Sequence, residues 1–115
     1  MFNRLFQRSE ASIPSISPDA AWEKCSTSKS DTVLVDVRET GEFARGHAKG
    51  ARNIPLSQLP QRLSDFPQNT EILLTCQSGQ RSMRAANLLQ QQGMTRVMSI
   101  TGGTTVWKMH QLPME

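Results

Sequence analysis

The apolar positions of the chain fall into short runs separated by segments of helical period. Thr32-Val33-Leu34-Val35-Asp36-Val37 is β-branched and almost wholly apolar, the pattern of a central strand covered on both faces. Glu71-Ile72-Leu73-Leu74-Thr75 is a second apolar strand, and Arg96 to Ile100 a further one. Ser15-Ile16 reads as a short edge strand, and Arg52-Asn53-Ile54 as a short strand ended by Pro55. Between them lie helix signals. Ser17 is placed as an N-cap with Pro18 at the first helical position, opening a helix through Ala21, Trp22 and Cys25. A short helix is expected from Thr40 to Ala44, stopping at Gly46, and another from Ser57 to Leu63. From Ser82 the period changes: Ala85, Leu88 and Leu89 share one helical face, and Arg84, Asn87, Gln90 and Gln91 the other. Gly93 closes that helix, and Gly102-Gly103 precedes a final helix carrying Trp107.

Strands that alternate with helices predict an α/β fold, a mostly parallel sheet of about five strands flanked by helices on both faces. The chain is long enough for one compact domain. With no internal repeat or low-complexity tract, the division expected is a flexible segment over 1–12, the folded domain over 13–112 and a tail over 113–115. Ligands of such sheets bind beyond the carboxyl ends of the strands. The run that ends at Thr75 leads straight into Cys76.

Composition narrows the picture by exclusion. No stretch approaches the ~20 consecutive apolar residues that span a bilayer. At the start, Arg4 and Arg8 interrupt Phe2, Leu5 and Phe6, which spoils a secretory apolar core, so a frayed terminus and a cytoplasmic protein are expected. Two cysteines, Cys25 and Cys76, are too few for a disulfide framework. With no CxxC and with His47 and His110 far apart, no metal site is expected. The net charge of +3 is unevenly placed. Residues 1 to 71 balance, whereas residues 72 to 115 set Arg81, Arg84, Arg96 and Lys108 against Glu115. The excess therefore lies in the half that holds Cys76. It is too sparse, and too poor in aromatics, for nucleic acid, and fits a small anionic partner instead.

The segment Cys76-Gln77-Ser78-Gly79-Gln80-Arg81-Ser82 lies between a strand and a helix. Gly79 permits a backbone of positive φ, and a tight turn there points successive N–H groups inward as an anion cradle. The helix that follows adds the positive end of its dipole, worth ~0.3–1 kcal/mol toward a nearby anion. Arg81 adds a permanent charge. All three favour thiolate over thiol, and cysteines in such surroundings titrate at ~3.5–7.5 rather than near ~8.5. A nucleophilic cysteine needing no neighbouring base is the expected device. Taken alone, a cysteine at a strand end is more often a small buried hydrophobe, and it is the unbroken order of strand, cysteine, glycine turn, arginine and amphipathic helix that overrides that reading.

From about Ile16 to Trp107 the chain resembles a single-domain rhodanese. The resemblance rests on Val35-Asp36-Val37-Arg38-Glu39 with Glu42-Phe43, Gly46-His47, Gly50-Ala51 and Asn53-Ile54-Pro55. It rests equally on the Cys76 to Ser82 loop with Ala85-Ala86, and on Gly102-Gly103 followed by Trp107. It implies a sulfurtransferase that takes sulfane sulfur from thiosulfate or another persulfide onto Cys76 and passes it to cyanide, a small thiol or a protein thiol. Cys76 is then the nucleophile and persulfide carrier. The amides from Gln77 through Ser78, Gly79 and Gln80 to Arg81 stabilise its charge, and Arg81 attracts anionic donors. No cofactor beyond the covalent persulfide is implied. Asp36, Arg38 and Ser82 are expected to support the site, His47 to fix a turn, Gly102 and Gly103 to admit close backbone packing, and Trp107 and Cys25 to pack. Ala48 departs from the Ile or Val frequent after Gly-His, and neutral Gln77 from the charge frequent after the cysteine. The rival readings are a cysteine phosphatase or arsenate reductase of related fold, whose loop is one residue longer, and a sulfur-relay or regulatory anion-binding module.

Overall fold

A computed structural model describes residues 13–27, 31–67 and 69–115 of the 115-residue chain. The segment 1–12, expected to be a flexible terminus, lies outside the described residues. Five strands, β1 (Ser15–Ile16), β2 (Thr32–Asp36), β3 (Arg52–Asn53), β4 (Glu71–Thr75) and β5 (Val97–Ile100), form one sheet in the order β1-β5-β4-β2-β3. Every strand pairing in it is parallel. Four helices, α1 (Pro18–Ser26), α2 (Thr40–Ala44), α3 (Gln80–Gln91) and α4 (Gly103–Met109), and a 3-10 segment (Leu56–Asp65) make the crossovers and connections.

The alternation of side chains along the strands builds a core on each face. Val35, Ile72 and Leu74 point to one face and pack with Ala85, Ala86 and Leu89 of α3 and Leu59 of the 3-10 segment. Leu34 and Leu73, one residue out of step, point to the other and pack with Ala21 of α1 and Trp107 of α4. Both faces being covered explains why β2 and β4 read as continuous apolar runs. Trp107 is fully buried, and Trp22 meets it edge-on with ring centroids 6.2 Å apart.

The α1 start follows its sequence signals: the Ala20 N–H donates to Ser17 Oγ, and Pro18 opens the helix. Two elements differ from expectation. The helix expected over Ser57 to Leu63 is 3-10 in character, with a non-helical Arg62, because Pro60 supplies no N–H and crowds the preceding turn. And α3 begins at Gln80, not near Ser82. Its first turn carries the polar Gln80 and Arg81, which leave no apolar trace in the sequence. The residues set apart as a tail are paired: His47 and Glu115 exchange both backbone hydrogen bonds (3.0 and 2.8 Å), and Lys49 N–H donates to Pro113 O. Among the described residues no helix is long and apolar enough to cross a membrane.

Candidate active site

Strand β4 is central in the sheet, and Cys76 is the first residue past its carboxyl end. Its neighbour β2 ends at Asp36, in register with Thr75, so the loops that follow both strands open at the same edge. From Cys76 the chain turns through Gly79, whose φ of 111° is closed to most L side chains, and enters α3 immediately. This places donors around the sulfur. The Gly79 N–H donates to Cys76 Sγ at 3.1 Å and the Ser82 N–H at 3.3 Å. The latter is one of the N–H groups that the first turn of a helix leaves without an internal acceptor.

The Ser82 hydroxyl lies 3.5 Å from Sγ, 3.1 Å from the Gly79 carbonyl oxygen and 2.7 Å from Ser99 Oγ. A hydroxyl has one proton to give. With a neutral thiol, Cys76 donates to Ser82 Oγ and Ser82 donates onward; with a thiolate, Ser82 can turn its proton to the sulfur while Ser99 donates to Ser82. Burial is the largest single influence on Cys76 and pushes its pKa up. The Ser82 hydroxyl and the amides of Ser82, Gly79 and Ser78 together outweigh it, and the net shift is downward. Cys25 is the opposite case: burial, reinforced by Glu71, pushes it up to about 11. It packs against the Ala21–Trp107 core.

The other expected site residues take distinct places. Of the loop expected to cradle the sulfur, the Gly79 N–H donates to Sγ, joined by the Ser82 N–H, and the Ser78 amide lowers the pKa with them. In a helix that starts at Gln80, the Ser82 N–H lies in the first turn, where no carbonyl of the helix takes it and it faces the sulfur. The Arg81 guanidinium is engaged as well, in a two-bond pair with Glu42 (2.7 and 3.1 Å) that holds the Glu42 carboxyl down at about 2. Asp36, fully buried, accepts from the Arg38 backbone N–H and from its guanidinium. Arg38 in turn donates to the Gly46 carbonyl at 2.8 Å and to Gln77 Oε1 at 3.3 Å. Neither touches the sulfur; together they tie the connection after α2 to the residue after the cysteine. His47 lies in the connection after α2, its Nδ1 2.9 Å from Phe43 O and its ring stacked on Phe43.

The start of α4 clamps the loop from the far side, a contact not anticipated from sequence in its detail. Thr104 donates to the Cys76 carbonyl through its N–H (2.8 Å) and its hydroxyl (3.1 Å), and the Thr105 N–H donates to Gln77 O. Gly103 makes this approach possible: a Cβ there would lie 2.4 Å from Cys76 O. The sequence signal was the glycine pair; Ser99 and Thr104 carried none of their own, and Glu42 entered only as part of the resemblance, with no role attached. Among the described residues no three His, Cys, Asp or Glu side chains gather as a metal site.

Residues 17–110 match the model of the rhodanese-like domain. A sulfurtransferase of Allochromatium vinosum is 39% identical over 83 residues, covering 72% of this chain and 78% of that one. The thiosulfate sulfurtransferase GlpE of Glaesserella parasuis is 30% identical over 106 residues, covering 92% of this chain and 96% of that one. Among solved structures, a rhodanese-related protein from Thermoplasma volcanium superposes with a TM-score of 0.80 at 25% identity, over 89% of this chain and 97% of that one.

Proposed function

Since the chain belongs to the rhodanese-like domain family, we propose that it is a sulfurtransferase whose covalent carrier is Cys76. The observation that carries the reading is the Sγ of Cys76 facing the N–H groups of Gly79 and Ser82 at the carboxyl end of β4. Relatives named as sulfurtransferases support the same reaction class. The loop from Cys76 through Arg81 also has the length of the sulfur-transferring type rather than the longer phosphatase loop.

The chemistry follows from the electrostatics. The Cys76 thiolate attacks the outer sulfur of thiosulfate; the sulfur–sulfur bond of the donor breaks, and sulfite leaves with its electron pair. The enzyme then holds a persulfide, Cys76–S–S⁻, whose charge the same amides stabilise. An acceptor nucleophile, cyanide or a thiolate, attacks the outer sulfur, and the pair of the breaking bond returns to Cys76 as thiolate. Each half-reaction moves one sulfur atom and needs no external oxidant or metal. Asp36 and Arg38 act as positioning residues in this scheme, since they reach the loop only through Gln77 and Gly46.

Intact-protein mass spectrometry after incubation with thiosulfate tests the reading. We expect a gain of about 32 Da on Cys76, removed by cyanide. Cys76→Ser should lose the adduct while keeping its circular dichroism spectrum, and Cys25→Ser should keep both. Loading of the Cys76→Ser variant would sink the mechanism.

A further inference from the structure

Beside the cysteine loop lies a cavity of about 160 Å³ lined by Arg38, Glu42, Arg45, Gly46, Gln77 and Lys108. Its charges do not cancel. Arg38 is matched by Asp36, and Glu42 by Arg81. Arg45 and Lys108, both exposed, have no ion-pair partner among the described residues. They come from different elements, the C-cap of α2 and the last turn of α4, so their meeting at one cavity is a product of the fold. Arg38 adds an Nη1 whose one acceptor is Gln77 Oε1, at 3.3 Å. The cavity therefore presents three cationic groups, and its single carboxylate is already engaged. The volume suits a carboxylate-sized group and is too small for a nucleotide. Gln77, which lines it, follows the sulfur carrier directly in the chain.

We propose that this cavity is a subsite for the carboxylates of the sulfur acceptor, which makes the preferred acceptor a small carboxylate-bearing thiol. The proposal rests on Cys76 as carrier. On this proposal an acceptor anchored at Arg45 and Lys108 is held against Gln77, next in the chain to the carrier, and its attack on a persulfide becomes effectively intramolecular. Two solvent-facing cations contribute modestly and are screened by salt, so the preference should fade at high ionic strength.

The test separates discharge from loading. Protein loaded with sulfur and freed of donor is mixed with mercaptosuccinate or with neutral 2-mercaptoethanol, and loss of the persulfide mass is followed in time. In the double variant Arg45→Gln/Lys108→Gln, discharge to mercaptosuccinate should slow about tenfold and discharge to 2-mercaptoethanol by less than about twofold. Equal slowing of both, or of neither, overturns the proposal. A second arm needs no sulfur: succinate added to unloaded protein should shift the amide NMR signals of Gly46, Gln77 and Lys108, and not in the double variant. Succinate binding in a protein that never loads would retain the subsite and remove Cys76 as carrier. Loading without any succinate shift would retain Cys76 and remove the subsite.

Discussion

Ser82 has one hydroxyl proton and three neighbours within reach, Cys76 Sγ, the Gly79 carbonyl and Ser99 Oγ. That proton and the backbone amides of Ser78, Gly79 and Ser82 set the balance between thiol and thiolate in a buried position. Deprotonation of a cysteine creates its charge, so groups that donate to the sulfur lower the pKa and extend reactivity to lower pH. In Ser82→Ala the backbone N–H remains and the hydroxyl is lost. The midpoint of the pH–rate profile for alkylation of Cys76 should then rise, with little change in the rate at high pH. An unmoved midpoint would assign the stabilisation to the amides alone. Cys76 and Gly79 were legible as residues because a thiol after a strand and a glycine in a turn each have a chemical reason to be there. Ser99 was not, since a serine in a strand is silent until the helix packed over it is known, here α3 with Ser82.

At the scale of elements, the active-site loop is held between two helix starts. Helix α3 faces the sulfur with its first turn, and α4 grips the carbonyl of Cys76 from behind through Thr104. The grip depends on Gly103, where a side chain would meet Cys76 O and the peptide of Gln77 at 2.4 and 2.8 Å and would sit at a φ of +55°. Gly103→Ala should therefore cost at least about 2 kcal/mol in urea unfolding and slow sulfur loading, because backbone atoms of the loop must move. Gly93→Ala is the comparison. Its φ is +91° but nothing lies within 4 Å of the added carbon, so stability should fall by about 1 kcal/mol and loading should stay unchanged. Equal loading rates in the two variants would show that α4 does not position the loop. Sequence patterning located both helices, and it missed the true start of α3 because polar residues open that helix.

At the scale of the molecule, a single sheet covered on both faces gathers the ends of β2 and β4 at one edge, and residues 113–115 pair with the connection that follows α2. Pro113 accepts from the buried Trp107 indole N–H at 2.8 Å, and Gly50 N–H donates to Glu115 Oε1 at 2.7 Å. A chain ending at Leu112 leaves that indole donor without its acceptor and His47 without its backbone partner. We expect a loss of about 1–3 kcal/mol, read as a lower thermal midpoint. A midpoint equal to that of the full chain would show these contacts to be dispensable.

The sequence by itself determined the strands and helices in order, the two-faced sheet, the cysteine placed at the end of β4 and the sharp turn after it. These follow from period, glycine conformation and cysteine chemistry, all of which act over a few residues. The tertiary structure alone decided that Arg81 pairs with Glu42, that Asp36 and Arg38 brace the loop through Gln77, that Thr104 holds the Cys76 carbonyl, and that Arg45 and Lys108 meet at one cavity. Each of those joins residues from separate elements, and a polar side chain does not reveal its partner until the packing of the sheet faces has set which loops share an edge.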